Sequence, residues 1–106
     1  RSETSEVVVM EISEFQRLVG NKLSGKDRQM GSAFLMNVLM EEVGELSRAI
    51  RKKTRRRVAE EIADVIFSTV SIANLFGIQI EPILKRKYID RPVSEISRRW
   101  TDVTWR

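Results

Sequence analysis

The stretch EEVGELSRAIRKKTRRRVAEEIADVIFSTVSIANLFGI (41–78) decides the reading of this chain. Apolar residues recur at helical spacing on both sides of a basic turn, which predicts two successive helices packed antiparallel. Each helix carries two acids three residues apart: Glu42 and Glu45 on the first, Glu61 and Asp64 on the second. Residues at that spacing are neighbours on a helix surface. With the helices side by side, these carboxylates converge on one small volume. Like charges that close resist ionisation unless a cation sits among them. An oxygen-only donor set fits a hard ion, Mg²⁺ or Mn²⁺, and such ions serve phosphate chemistry.

Taken singly, each acid reads as part of a solvated helix face with basic partners one turn away. The i+4 positions argue against that here: Glu42 meets Leu46, Glu45 meets Ala49 and Glu61 meets Val65. Asp64 stands between Ala63 and Val65, a poor place for an unpaired charge.

Working outward, the helix bearing the first pair should run from about Ala33 to Lys53, with Phe34, Val38, Val43, Leu46 and Ile50 as its apolar stripe and Leu35, Leu39 and Ala49 beside it. Its partner should run from about Arg56 to Phe76, presenting Val58, Ile62, Val65, Ile66, Thr69, Ala73 and Phe76. Gly77 followed by Ile78 predicts a left-handed Schellman ending. Upstream, Ser13 and Gln16 fit a capping box that starts a first helix, and SGKDRQMGS (24–32) reads as a loop. Residues 7–9 read as a short extended lead-in. Downstream, Pro82 suits the first turn of a short fourth helix that Arg91 and Pro92 should end.

The whole is one domain of 106 residues, with a core at about 11–92, a lead-in at 1–10 and a tail at 93–106. The tail carries Trp100 and Trp105, expected to pack on the bundle or a neighbour. There is no Cys and no His, which removes disulfides, thiol chemistry and imidazole acid–base catalysis. The lack of Cys fits a cytoplasmic setting. No apolar run approaches the ~20 residues that span a bilayer, so no membrane partner is expected. The net charge of +4 is unevenly spread: RAIRKKTRRR (48–57) holds seven bases and no acid, between the two acidic strings. Two long and two short helices make a thin all-α bundle, and a core that small is marginal alone. A homo-oligomer built through the second and third helices is expected.

The pattern EExxE followed by ExxD, with Gly44-Glu45-Leu46 in the first string and ADVIFSTVSIANLFGI (63–78) around the second, resembles the MazG-type nucleotide pyrophosphohydrolases. The resemblance spans roughly residues 11–92 and is strongest at 41–50 and 60–78. It implies the all-α NTP pyrophosphatase bundle, assembled as a homodimer or homotetramer. It implies Mg²⁺-dependent hydrolysis of an NTP or dNTP to NMP and pyrophosphate, in the service of nucleotide-pool house-cleaning. Glu42, Glu45, Glu61 and Asp64 match the family's metal-binding acids. Glu41 matches the leading acid and is the candidate to position or deprotonate the attacking water. Lys87 and Arg91, in KYIDRP (87–92), look similar to the family's phosphate-binding Lys and Arg, and with Lys85 they are candidates to bind phosphate and stabilise the leaving group. The tryptophan-bearing element that some members carry before the second helix is absent from 24–32, so no base-recognition residue carries over.

Other readings remain. A phosphoribosyl-ATP or dUTP/dCTP pyrophosphatase of the same superfamily would use the same site on another substrate. A helical dimer could bind nucleic acid through the 48–57 bases, but that leaves the acids unexplained. A structural bundle could bind a partner protein through the tryptophan-bearing tail.

Overall fold

A single residue, Gly31, separates the first two helices. The computed structural model describes residues 9–97, and these are helical almost throughout. Helix α1 spans Ile12–Met30, α2 Ser32–Arg51 and α3 Arg55–Leu75. A short α4, Ile80–Leu84, runs on into a π-helical turn at Lys85–Ile89, and one further turn, α5, spans Val93–Ile96. Residues 7 and 8 of the expected lead-in, and Trp100 and Trp105, lie outside the described residues.

Most of the expected loop at 24–32 is instead the last part of α1, which runs to Met30. One glycine inside a helix costs about 1 kcal/mol, and the neighbouring Lys, Arg, Gln and Met are good helix formers. Gly31 makes the break with φ 88° and ψ 167°, a backbone region essentially reserved for glycine. Its N–H donates to Asp27 O at 2.8 Å, closing α1 before the chain turns into α2.

The expected capping box also differs. Glu11 is the N-cap residue and makes no side-chain cap bond. The Ser13 N–H donates to Glu81 Oε1 at 2.8 Å, across to α4. Gln16, only 3% exposed, turns away from its own helix start. Its Nε2 donates to Ile78 O, its Oε1 accepts from Ile80 N–H at 3.2 Å, and its carbonyl accepts from Asn74 Nδ2 at 3.1 Å. One side chain thus ties α1 to the α3–α4 connection and satisfies backbone groups that the connection leaves unpaired.

Between α2 and α3 lie only Lys52, Lys53 and Thr54, so the two helices fold back on each other. Lys53 N–H bonds to Ile50 O and Thr54 N–H to Ala49 O, a Schellman ending with a non-glycine residue, Lys53 at φ 55°, in the left-handed position. At the far end of α3, Gly77 has φ 67°, and Ile78 N–H reaches Ala73 O at 2.9 Å, as the sequence predicts.

α2 packs chiefly on α3, and α1 packs on α3 beside it. The buried apolar residues are few: Val19, Leu35, Ala49, Val70 and Ala73. The packed faces are rotated from those expected. Leu35 and Ala49 are buried on α2, whereas Phe34, Val43 and Ile50 are exposed. On α3, Glu61, Ser68 and Ser71 are buried beside the expected Ala73, while Ile62 and Ile66, and Phe76 just past its end, are exposed. Polar side chains therefore share the packed faces with Leu35, Ala49, Val70 and Ala73, while several large apolar ones stand outside.

Candidate metal centre

Glu61 sits within the seam, 5% exposed, one turn along from Arg57. Arg57 Nη2 donates to Glu61 Oε2 at 2.9 Å. The other oxygen, Oε1, is buried and has no hydrogen-bond partner among the described residues. An orphaned, buried carboxylate oxygen is costly unless a proton or cation meets it.

Around it the expected constellation forms in part. Glu42 from α2 and Glu61 and Asp64 from α3 bring one carboxylate oxygen each to within 4.8 Å of one another. Glu42 is half-buried and Asp64 is exposed, so the cluster opens at the edge of the seam. Partial burial holds the Glu42 carboxyl above the ordinary glutamate range, reinforced by the neighbouring carboxylates of Asp64, Glu61 and Glu45. Glu45 is outside this trio. It lines an adjoining recess of about 270 Å³ with Arg48, Lys52, Thr54 and Arg57, at the α2–α3 turn. Glu41 is exposed beside Glu42.

The donor set suits a hard cation: three carboxylates from two helices, no nitrogen or sulfur, and one buried oxygen lacking a partner.

The other expected cations lie on the α4 side. Lys85 Nζ meets both carboxylate oxygens of Asp90 at 3.0 Å. Lys87 stands 5.7 Å over the Tyr88 ring, and Arg91 Nε is 3.4 Å from Glu95 Oε1. Looking only at i+4 partners overlooked Arg57, which precedes Glu61 by four residues; the i−4 position carries that signal. Arg48 and Lys52 were legible only as members of a basic run. Arg56 and Arg57 both pair with Glu60, which ties part of that run to the helix itself.

Fold and cluster together define an all-helical domain whose central antiparallel pair is built around pooled carboxylates. The chain belongs to the MazG nucleotide pyrophosphohydrolase domain family, whose sequence profile matches residues 31–93. No curated protein matches the chain. Among the described residues, no single helix is long and apolar enough to cross a membrane.

Proposed function

We propose that this protein is a Mg²⁺-dependent nucleoside triphosphate pyrophosphohydrolase, with Mn²⁺ as a substitute, that releases NMP and pyrophosphate and clears unwanted nucleotides from the pool. The observation that carries this is the unpartnered Glu61 Oε1 among the carboxylates of Glu42 and Asp64. Glu42, Glu61 and Asp64 would hold the cation, with Glu45 beside them. When bound, the cation neutralises phosphate charge and acidifies bound water.

The chain's own residues supply the rest. Arg57 holds Glu61 in one orientation through Oε2, leaving Oε1 turned to the site. Glu41 is the base: it takes the proton of a water whose oxygen bonds to the α-phosphorus. The bond from that phosphorus to the bridging oxygen breaks, and pyrophosphate leaves with the electron pair. Arg48 and Lys52, lining the adjoining recess, oppose the charge that grows on the leaving group. Lys85, Lys87 and Arg91 would complete the phosphate contacts if a second subunit brings them near.

The proposal extends to a homo-oligomer, and an exposed apolar stripe on α2 supports it. Met36, Met40, Val43 and Ile50 recur on α2 at spacings of four, three and seven, and each is more than two-fifths exposed. That stripe is the seam of a helix awaiting another helix.

The test is release of NMP and pyrophosphate from a panel of NTPs and dNTPs, with Mg²⁺ and with EDTA, for wild type and Glu42→Gln. Metal-dependent release of both products, lost in the variant, is expected. Turnover that survives EDTA or the substitution overturns the assignment, and so does failure to cleave any nucleotide.

A further inference from the structure

Asp27 is a second buried acid, and the acid cluster does not use it. It lies near the end of α1, 8% exposed, and its Oδ2 has no hydrogen-bond partner among the described residues. It also precedes the segment matched by the family profile, which begins at residue 31. An isolated aspartate buried in this way destabilises the fold unless something donates to it.

Asp27 lines a cavity of about 170 Å³, walled by α1, α2 and α3. Phe34 and Phe67 contribute aromatic faces, and Ser68 and Ser71 contribute hydroxyls, both serines being buried. The cavity is smaller than the ~300 Å³ at the low end of pockets for drug-sized ligands, so it takes one flat ring system. Its position relative to the acids follows from helix geometry. Val38, another wall residue, precedes Glu42 by four positions, and Ser68 follows Asp64 by four. α2 and α3 run antiparallel, so both offsets point the same way along the seam. The cavity is therefore one turn, about 6 Å, from the carboxylates, a gap that the sugar of a nucleotide bridges.

We infer that this cavity is the nucleobase subsite and that Asp27 selects bases bearing an exocyclic amino group. The inference rests on the nucleotide pyrophosphohydrolase reading above and names its substrate class. A carboxylate accepts hydrogen bonds and offers no donor. The amino groups of cytosine, adenine and guanine supply the missing N–H, as acidic side chains receive the cytosine amine elsewhere. Uracil, thymine and hypoxanthine place a carbonyl oxygen, or nothing, where that amine would be. Their oxygens repel the carboxylate and leave it at most one ring N–H, where an amino-bearing base brings the exocyclic donor. Phe34 and Phe67 take the ring faces, and aromatic stacking is indifferent to the base. Ser68 and Ser71 each donate or accept as the remaining ring edge requires. Discrimination therefore falls on Asp27.

The decisive comparison uses pairs that differ at the amine: dCTP against dUTP, and dGTP against dITP. Hydrolysis of all four is measured with Mg²⁺, and binding of the matching monophosphates is measured by calorimetry without metal. Wild type should favour the amino-bearing member of each pair by about 10-fold or more, in turnover and in binding, as expected for a hydrogen bond to a charged group. Asp27→Asn offers an amide donor in the same volume, and the preference should vanish or reverse. Equal handling of both members by the wild type overturns the inference, as does a preference that Asp27→Asn leaves intact. If no triphosphate is cleaved, the enzymatic reading fails, and the monophosphate binding arm still decides whether Asp27 reads the amine.

Discussion

Arg57 and Glu61 stand one turn apart on α3, joined at 2.9 Å, with the guanidinium half-exposed and the carboxylate buried. The bond occupies one oxygen of Glu61 and leaves the other free, so in the proposed metal site the arginine would be the outer partner that orients a ligand. Removing such a partner typically costs about 10–100-fold in metal affinity. Arg57→Ala should weaken Mg²⁺ binding by that order and lower turnover at limiting Mg²⁺, while saturating metal restores much of the rate. Magnesium titration followed by calorimetry checks this. An unchanged affinity would make the pair a surface feature with no hold on the site.

The raised Glu42 carboxyl gives a pH dependence of definite sign. Its folded-state pKa lies above its unfolded value, so the folded protein binds more protons between the two. This group's contribution is most favourable at acid pH and is lost as pH rises through the folded pKa. In EDTA, wild type should lose stability relative to Glu42→Gln as pH climbs from the ordinary glutamate range toward neutrality. Adding Mg²⁺ at neutral pH should reverse the order, since a ligand at 100 times its Kd stabilises by about 2.7 kcal/mol. Thermal melts of both proteins across that range, with and without metal, test it; parallel curves would refute the coupling.

The acids at 42, 61 and 64 were legible from i,i+3 spacing on helices joined by a short turn, although the same spacing at Glu45 does not bring it into the trio. The two long helices α2 and α3 were legible because their apolar periodicity is strong, whereas α1 was expected to be short and runs on to Met30. Composition misread 24–32, because the punctuating residues Gly25 and Ser32 outweigh, by eye, the packing of Leu23 and Asp27 near α3. It also misjudged which stripe of α2 is buried. Phe34, Val43 and Ile50 are as hydrophobic as Leu35 and Ala49, and hydrophobicity cannot say which of two apolar stripes meets α3. Asp27 gave no sequence signal of burial, and Gln16 signalled only a local cap, since a single polar residue on a helix looks the same whether it faces water or the core.

Gln16 tests the coupling of α1 to the α3–α4 connection. Its amide meets the Ile78 carbonyl and the Ile80 N–H, both fixed by a connection that cannot pair them internally. Gln16→Ala would leave both part-buried groups without partners. An unsatisfied buried group costs about 1–3 kcal/mol, so a loss of about 2–4 kcal/mol in urea unfolding is expected. A loss under about 0.5 kcal/mol, the size of an ordinary surface substitution, would show that water replaces the side chain freely.

The outward stripe on α2 tests assembly. Met40 is 58% exposed, midway along the line of Met36, Val43 and Ile50. A lysine there would place a charge in the seam between two such helices, whereas on a lone helix it would replace an exposed apolar side chain with a soluble one. Met40→Lys should therefore shift the protein to monomer in analytical ultracentrifugation and leave the monomer helical by circular dichroism. If assembly also completes the phosphate contacts through the α4 cations, turnover should fall with the dimer fraction and recover at high protein concentration. A variant that keeps the wild-type sedimentation coefficient would move the interface off α2.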